Sequence, residues 1–368
     1  MLQAAKLPRY VYAYAEHMGD RKEQQDRVAV LTHDRFPEVV FAVLADGMGG
    51  HTGGAIAAQC VIDAAQQTFE NYTPAAGAPE AWLQAVIKRA HEAIQAKGEG
   101  FDRDPRATIV LMLADENGFH WAHVGDSRLY HIVNGRFVFR TEDHSLVEIL
   151  LGQGQINENE LLTHPERSRL FASLGGDENP NAPFGEALEP KGQDTVLLCS
   201  DGLWAYFHRS ELATIISYRP LDEACTRLIR LARRRAKASG ADGDNISLAI
   251  VRAAAPLPSE NGGSGLGDLL GKLVGKKAAP PVTPSHFEDA RRYMRSELYG
   301  FFSDDGLSPQ GAQEKASQGK ALMQAVNDAH DPAALIATIA TCTRAVREAV
   351  NEEAALLFSK KALDLLAD

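Results

Sequence analysis

The fold is decided by the stretch VVFAVLADG, residues 39–47, in which seven consecutive apolar residues run directly into Asp46-Gly47. Two later stretches have a related arrangement, since TVLLCS ends at Asp201-Gly202 and ISLAIV follows Asp244-Asn245. A short, unbroken apolar run that is bounded by turn residues is typical of a strand buried on both faces. The sequence therefore predicts buried strands whose ends carry aspartates.

The segments around these strands predict a mixture of sheet and helix. Apolar spacing indicates amphipathic helices from about Gly54 to Tyr72, from about Glu80 to Lys97 and from about Asp222 to Ser239. The runs FHWAHV and RLYHIV flank Gly125-Asp126-Ser127 and together predict a hairpin with its turn at these three residues. Few units have a strict strand-helix-strand order, which favours an α+β fold of packed sheets with helices outside.

The chain of 368 residues is long enough for two or three domains. We expect a mixed domain over residues 1–253, a linker rich in Pro, Gly and Ser over 254–284, and a helical bundle over 285–368. Ser285 and Glu288 form a capping-box pattern, and Pro309 and Pro332 mark the starts of further helices. One face of this bundle is expected to be lined by Leu335, Ile336, Ile339, Val346 and Val350.

Composition and charge narrow the class of protein. The net charge of −11 opposes attraction to a phosphate backbone, so we expect no nucleic-acid partner. The four cysteines show no CxxC spacing, which favours neither a zinc site nor a disulfide framework and fits a reducing cytoplasm. We find no apolar signal core at the start and no run long enough to span a membrane, so a cytoplasmic protein is expected.

Five aspartates each adjoin a strand-like run, where a rigid sheet would direct them to one point: Asp26, Asp46, Asp126, Asp201 and Asp244. Any single Asp-Gly is first a turn dipeptide, but several carboxylates together repel each other unless a cation neutralises them. Aspartate oxygens without cysteine or clustered histidine suit Mg²⁺ or Mn²⁺, so we expect two or three such ions. Ions of this kind activate water and clamp a phosphoryl group, which predicts phosphoester hydrolysis. Arg21 is the candidate cation for holding the phosphate.

The ordered set of motifs resembles the metal-dependent Ser/Thr protein phosphatases of the type 2C family, in the form found in bacteria. The motifs occur in the family's order over roughly residues 10–252, as RKEQQD, VLADGMGGH, RATIVLM, HVGDSRLY, TEDHS, CSDGLW and GDNISLAIV. The resemblance implies an αββα sandwich, in which two antiparallel sheets flanked by helices hold metals at one end.

The resemblance also implies metal ligands for this chain. Asp46 matches the aspartate that bridges two metals, and the carbonyl of Gly47 matches a ligand of the second metal. Asp201 and Asp244 match ligands of the first metal. Asp126 matches the residue that, together with Asp201, holds a more weakly bound third metal in some members.

Further positions carry over or depart from the family pattern. Arg21 matches the arginine that grips the substrate phosphate, and Asp26 matches an outer carboxylate near the metals. The region from about residue 157 to 192 corresponds to a mobile flap, and its content of Gly, Pro and Asn predicts a loop. Gln25 stands where many members have an acidic residue, in the water shell of the second metal. Met48 stands where many members have a histidine, so the general acid is unassigned. His51 and a metal-bound water are the candidates.

The expected function is removal of phosphate from serine and threonine of phosphoproteins by direct attack of a metal-activated water. Phosphorylated proteins, and a Ser/Thr kinase that acts on them, are the expected partners. The helical tail would bind a regulator or dimerise. Two alternatives stay open, namely a hydrolase of small phosphoesters and a catalytically silent module that binds phosphoproteins through the same cleft.

Overall fold

The computed structural model describes residues 9–48, 53–74, 78–98, 104–133, 135–188, 190, 194–217, 219–240, 242–254, seven positions between 287 and 298, 309–349 and 352–367. The chain divides into two compact units, Met1–Pro256 and Leu257–Asp368. Each unit is described by itself.

The first unit is built on two antiparallel sheets. The strands of the first sheet are, in spatial order, β1 (Tyr10–His17), β11 (Ile246–Ala253), β10 (Thr195–Cys199), β7 (Arg128–Val133) and β8 (Arg136–Arg140). The strands of the second sheet are β2 (Asp26–His33), β3 (Phe36–Met48), β5 (Ile109–Ala114), β6 (Gly118–Val124) and β9 (Phe184–Leu188), with the short β4 (Arg106–Ala107) paired to β3. The two sheets pack face to face over an apolar layer that includes Leu44, Met112, Leu198 and Val251.

Helices cover the outer face of each sheet. The described helices of the first unit are α1 (Gly53–Phe69), α2 (Pro79–Lys97), α3 (Leu146–Gly152), α4 (Glu158–Thr163), α5 (Asp201–Trp204), α6 (Arg209–Ser217) and α7 (Leu221–Ser239). The pair α1 and α2 buries Val61, Leu83 and Ile87 in a core shared with the second sheet. The helices α5 to α7 share a core with the first sheet that includes Trp204 and Leu228. The α+β class and the αββα sandwich are thereby confirmed.

The three helices predicted from apolar spacing are present with slightly different ends. The helix predicted from Gly54 to Tyr72 is α1, the one from Glu80 to Lys97 is α2, and the one from Asp222 to Ser239 is α7. At α2 and α7 the apolar stripe faces the sheet as the pattern predicts.

The predicted hairpin around Gly125-Asp126-Ser127 is wrong. FHWAHV is part of β6, which pairs with β5 and β9, whereas RLYHIV is β7, which pairs with β10 and β8 in the other sheet. The turn therefore carries the chain from one sheet to the other. Gly125 has φ +105°, and a Cβ there would lie 2.6 Å from Thr108 Cγ2, so the crossing depends on a glycine.

The predicted loop over residues 157–192 is only partly a loop. It contains helix α4 and strand β9, the latter an edge strand that pairs with β6 from Ala122↔Phe184 to Gly118↔Leu188. Single bridges also tie it to the sandwich at Ser145↔Leu170 and Ala107↔Leu174. Its Gly, Pro and Asn residues mark the connections between these elements, while the pairing comes from contacts distant in sequence.

The described part of the second unit is helical. It contains α8 (Pro309–Asp328), α9 (Pro332–Ala349) and α10 (Glu352–Ala367), and the described positions from Phe287 to Leu298 are also helical. The predicted helix starts at Pro309 and Pro332 are confirmed, and Leu335, Ile339 and Val346 are buried. Ser285, Glu288, Val350 and nearly all of the predicted linker lie outside the described residues.

Candidate metal centre

The five predicted aspartates come from both sheets and meet at one end of the sandwich. Asp26 begins β2 and Asp46 lies near the end of β3, and the two are direct cross-strand partners. Asp126 follows β6 at the crossing between the sheets, Asp201 begins α5 directly after β10, and Asp244 precedes β11 by two residues. The interactions that raise the pKa values of Asp26, Asp46, Asp126 and Asp201 link all five side chains in one electrostatic cluster.

Glycines let the backbone segments of this cluster approach each other. A Cβ on Gly202 would lie 1.9 Å from the carbonyl oxygen of Asn245, so the segment that follows Asp201 can touch the one that follows Asp244 only without a side chain. Gly47 and Gly54 face each other in the same way, because a Cβ on Gly54 would lie 2.5 Å from the carbonyl oxygen of Gly47. The end of β3 is therefore packed tightly against the start of α1.

Asn245 fastens the loop between β1 and β2 onto this end of the sandwich. Its Oδ1 accepts a hydrogen bond from the backbone N–H of Gln25 at 2.8 Å. Its Nδ2 donates to the carbonyl oxygens of Met18 at 2.8 Å and Glu23 at 3.0 Å. Because the side chain is buried, these three bonds satisfy an amide that water does not reach and fix the loop that carries Arg21.

The carboxyl groups disfavour each other's charge. Burial raises the pKa of Asp26 to about 7, with repulsion from Asp201 and Asp244 adding to the shift. Burial, and then repulsion from Asp244, raises the pKa of Asp201 to about 6. Burial and the neighbouring carboxylates hold the pKa values of Asp46 and Asp126 well above their usual range. The nearby positive charges of the protein therefore do not balance the buried carboxylates at this end of the molecule.

The donor set fits hard divalent cations. It consists of carboxylate oxygens with the backbone carbonyl of Gly47 nearby, and a bound cation would relieve the repulsion that raises the pKa values. Within the described ranges, no three His, Cys, Asp or Glu side chains form a ready-made cage for one ion. Mg²⁺ commonly takes only one or two carboxylates and keeps several waters, so an open carboxylate cluster suits such an ion better than an enclosed site does.

Arg21 lies beside the cluster and is paired with one of its aspartates. Its Nη2 lies 2.8 Å from Oδ2 of Asp244, and its side chain is 53% exposed. The pKa of Arg21 is raised chiefly by Asp244, and also by Asp201 and Asp46. The guanidinium thus occupies the position of a counter-charge to the cluster, from which it can turn to an incoming phosphate.

Asp26 has a protein partner of its own. The hydroxyl of Ser200 donates to Oδ2 of Asp26 at 2.6 Å, and the same hydroxyl accepts from the backbone N–H of Ser247 at 3.0 Å. This bond holds Asp26 from the neighbouring sheet. One oxygen of the Asp26 carboxylate is therefore already engaged by the protein.

Besides the roles of Asn245 and Ser200, sequence reasoning missed two further features of the site. Arg167, from the region predicted as a loop, carries a charge that offsets part of the rise in the pKa of Asp201, and it also hydrogen-bonds Tyr206. Arg128 and Asp143 form a buried bidentate ion pair at 2.8 and 2.7 Å. The motifs HVGDSR and TEDHS contain this second pair, but only the fold shows that the two charges meet.

The positions that depart from the family pattern have structural roles. The carbonyl of Gln25 accepts from the N–H of Gly47 at 3.2 Å, and its side chain packs close to Gly54. Met48 ends β3 and pairs with Arg106 of β4. His51 lies outside the described residues.

Comparisons with known proteins find one family. A family model described as Protein phosphatase 2C matches residues 15–239. The protein phosphatase PhpP of Streptococcus pneumoniae is 32% identical over 212 residues, which cover 57% of this chain and 84% of PhpP. The serine/threonine protein phosphatase PstP of Mycobacterium tuberculosis is 33% identical over 212 residues, which cover 56% of this chain and only 39% of PstP.

A solved structure shows the same fold. The catalytic domain of the serine/threonine protein phosphatase PstP in complex with two manganese ions has a TM-score of 0.56 to this chain at 27% identity. The alignment covers 67% of this chain and 98% of that domain. The family match ends at residue 239, before the second unit begins.

Proposed function

The chain belongs to the protein phosphatase 2C family, and from that membership we propose that it hydrolyses phosphoserine and phosphothreonine esters on proteins at a centre of Mn²⁺ or Mg²⁺. The observation that carries the proposal is the cluster of mutually repelling aspartates at one end of the two sheets. The PstP domain with two manganese ions supports a metal-dependent reaction.

The electrostatic interactions among the side chains support the proposed assignment of ligands. Asp46 lies centrally, since its pKa is affected by all four other carboxylates, and this supports a role as the bridge between two ions. Asp201 and Asp244 interact directly, which supports a shared ion on their side. Gly47 would contribute its carbonyl oxygen to the other ion. Asp126 interacts most with Asp201 among the clustered aspartates, as expected for a pair that holds a third ion.

The remaining residues orient the phosphate and the cluster. The bound ions would supply a water of lowered pKa and neutralise charge on the phosphoryl group. Arg21 would leave Asp244 and hold the phosphate oxygens with two parallel hydrogen bonds. Asp26, fixed by Ser200, would hold the water shell in place. Direct attack by water requires no phosphorylated residue on the protein.

We also propose the partners, the compartment and the role of the helical second unit. Ser/Thr-phosphorylated proteins are the proposed substrates, with a Ser/Thr kinase acting on the same proteins. The four cysteines are free and buried, which supports a reducing cytoplasm. Within the described part of the chain, no helix combines the length and apolar character needed to cross a bilayer. The helical second unit is proposed to bind a regulator or to dimerise.

The test is hydrolysis of a phosphothreonine peptide by the full chain with Mn²⁺, with chelator, and with Asp46→Asn. The control is Asp34→Asn, which removes an exposed carboxylate in the turn before β3. We expect metal-dependent turnover that falls by at least about 100-fold in Asp46→Asn, because the bridging charge is lost, and that stays unchanged in Asp34→Asn.

Other outcomes would favour the alternatives. Turnover of a simple aryl phosphate without turnover of the peptide would indicate a hydrolase of small phosphoesters. Bound Mn²⁺ and an intact fold without any turnover would indicate a silent phosphoprotein-binding module. Equal turnover in Asp46→Asn and the unmodified protein would contradict the proposed centre.

A further inference from the structure

The two sheets leave a groove open at the edge where β8 and β9, the last strands of their sheets, lie. This edge groove has a volume of about 730 Å³ and is lined by Trp121 and His123 of β6, His131 of β7, Phe139 of β8 and Ile149 of α3. None of the five metal-centre aspartates is among its described lining residues. The edge groove is therefore separate from the metal centre.

The walls of the edge groove hold much of the exposed apolar surface. Eight large apolar side chains are exposed among the described residues, and four of them line this groove, namely Val138, Phe139, Ile149 and Phe171. Phe171 is 61% exposed. Phe139 also faces Trp121 of the other sheet, with ring centroids 5.4 Å apart. Exposed apolar surface concentrated in this way is typical of a binding site.

The same walls carry buried polar atoms without a partner. They are Nδ1 of His123, Nε2 of His131 and Oε2 of Glu148. His123 is only 3% exposed and His131 only 8%. These atoms have almost no accessible surface in the ligand-free structure, and a buried polar atom without a hydrogen bond costs about 1–3 kcal/mol, so a ligand that shifts the side chains of the wall and completes these bonds would gain affinity here.

The hydrogen-bonding role of the adjacent His123 and His144 can be assigned. Burial lowers the pKa of both rings, that of His144 to about 4, so both are neutral at pH 7. Nε2 of His123 faces the carbonyl oxygen of Glu142 at 2.8 Å and must donate, which leaves Nδ1 as an acceptor. Nδ1 of His144 accepts from the N–H of Gly125, which leaves Nε2–H as a donor. The two stacked rings, 4.9 Å apart, offer one acceptor and one donor.

The charges around the edge groove exclude an anion. Among its described lining residues there is no Lys or Arg, whereas four carboxylates are present, those of Glu142, Asp143, Glu148 and Glu186. Arg128 neutralises Asp143 and Arg140 neutralises Glu148, and neither arginine is among the described lining residues of the groove. An anionic ligand would meet acceptors and carboxylates without a counter-charge.

We propose that the edge groove is a second binding site, for a small planar molecule that carries an N–H donor and no negative charge. Its volume and its largely apolar walls, with several aromatic side chains and a few polar atoms, are those of small-molecule sites. A planar body fits against the aromatic side chains that line the edge groove, and an N–H group fits the acceptor of His123. The proposal does not depend on the proposed phosphatase reaction.

The test uses three probes that share one skeleton, measured by fluorescence titration with the full chain. 2-Phenylbenzimidazole is planar and neutral and has an N–H. Its 1-methyl derivative lacks that N–H, and its 5-sulfonate carries a negative charge. We expect the dissociation constant to rise about tenfold on methylation, the loss of one hydrogen bond, and at least about tenfold for the sulfonate.

A filling variant locates the binding. Gly152 lines the edge groove, and a Cβ there would meet nothing within 4 Å, so Gly152→Phe adds a ring beside the groove with no clash at Cβ. Ala238→Phe adds the same ring at an exposed position of α7 and is the control. We expect at least about tenfold weaker binding of 2-phenylbenzimidazole in Gly152→Phe and no change in Ala238→Phe. Equal affinity in both variants, equal affinity for the three probes, or binding of none of them would overturn the proposal.

Discussion

The ion pair between Arg128 and Asp143 provides a sharp test of how the site is supported. The guanidinium donates two hydrogen bonds to the carboxylate and lies 3.5 Å from the centre of the Trp204 ring. Trp204 in turn donates from Nε1 to the carbonyl of Asp126 at 2.9 Å. Arg128 and Asp143 are both almost completely buried. The perturbation is Asp143→Ala, compared with the double variant Arg128→Met/Asp143→Leu.

The two variants are expected to differ because of what each leaves behind. Asp143→Ala leaves a charged guanidinium buried without its counter-ion, which costs about 3–5 kcal/mol of the free energy of unfolding. The double variant removes both charges and fills the space with apolar groups, so its cost is expected to stay below about 2 kcal/mol. Against a typical stability of about 5–15 kcal/mol, the single variant is severe and the double variant is mild.

The assay is urea unfolding followed by tryptophan fluorescence in the presence of chelator. All three tryptophans, Trp82, Trp121 and Trp204, lie in the first unit, so the signal reports that unit in the full chain. The chelator removes any contribution from metal binding. A double variant that is as unstable as Asp143→Ala, or a single variant that costs less than about 1 kcal/mol, would refute the reasoning.

Three further predictions concern the metal centre. Asn245→Ala removes three hydrogen bonds and should lower the free energy of unfolding by about 3 kcal/mol, at about 1 kcal/mol each, as measured by urea unfolding. Gly202→Ala should weaken Mn²⁺ binding by at least about tenfold in calorimetry, because its Cβ would collide with the carbonyl of Asn245; unchanged affinity would contradict this. The free energy of unfolding of Asp26→Asn, measured in chelator, should rise relative to that of the unmodified protein by about 1.4 kcal/mol for each unit that the pH is raised from 4 to 7. The sign follows because the raised pKa keeps a proton on native Asp26 that the unfolded chain has already lost. A pH-independent difference between these two proteins in urea unfolding would contradict the raised pKa.

The parts of the fold that depend on local pattern could be predicted. The unbroken apolar run before Asp46 indicates a buried strand, and the 3.6-residue spacing in α2 and α7 indicates helices with one buried face. The hairpin at Gly125 failed because a turn signal between two apolar runs does not say which sheet each run will join. That choice depends on the pairing of β7 with β10, which lies about 60 residues later in the sequence.

The same division applies to the candidate site. The aspartates could be found because each follows or precedes a buried run, and their roles stay predictions. Asn245 and Ser200 could not be found, because their side chains act on Gln25 and Asp26, whose proximity only the folded chain creates. Arg167 was hidden in a segment whose composition indicates only connections.

The aspartates of the centre are divided between the two sheets, and this has a mechanical consequence. Asp26 and Asp46 belong to one layer, Asp201 and Asp244 adjoin the other, and Asp126 lies on the strand crossing that joins them. Ions held between these groups would act as a cross-link between layers that otherwise adhere through an apolar interface. Part of the free energy of metal binding would then oppose any sliding of one sheet over the other, so that loading the centre also sets the rigidity of the whole sandwich.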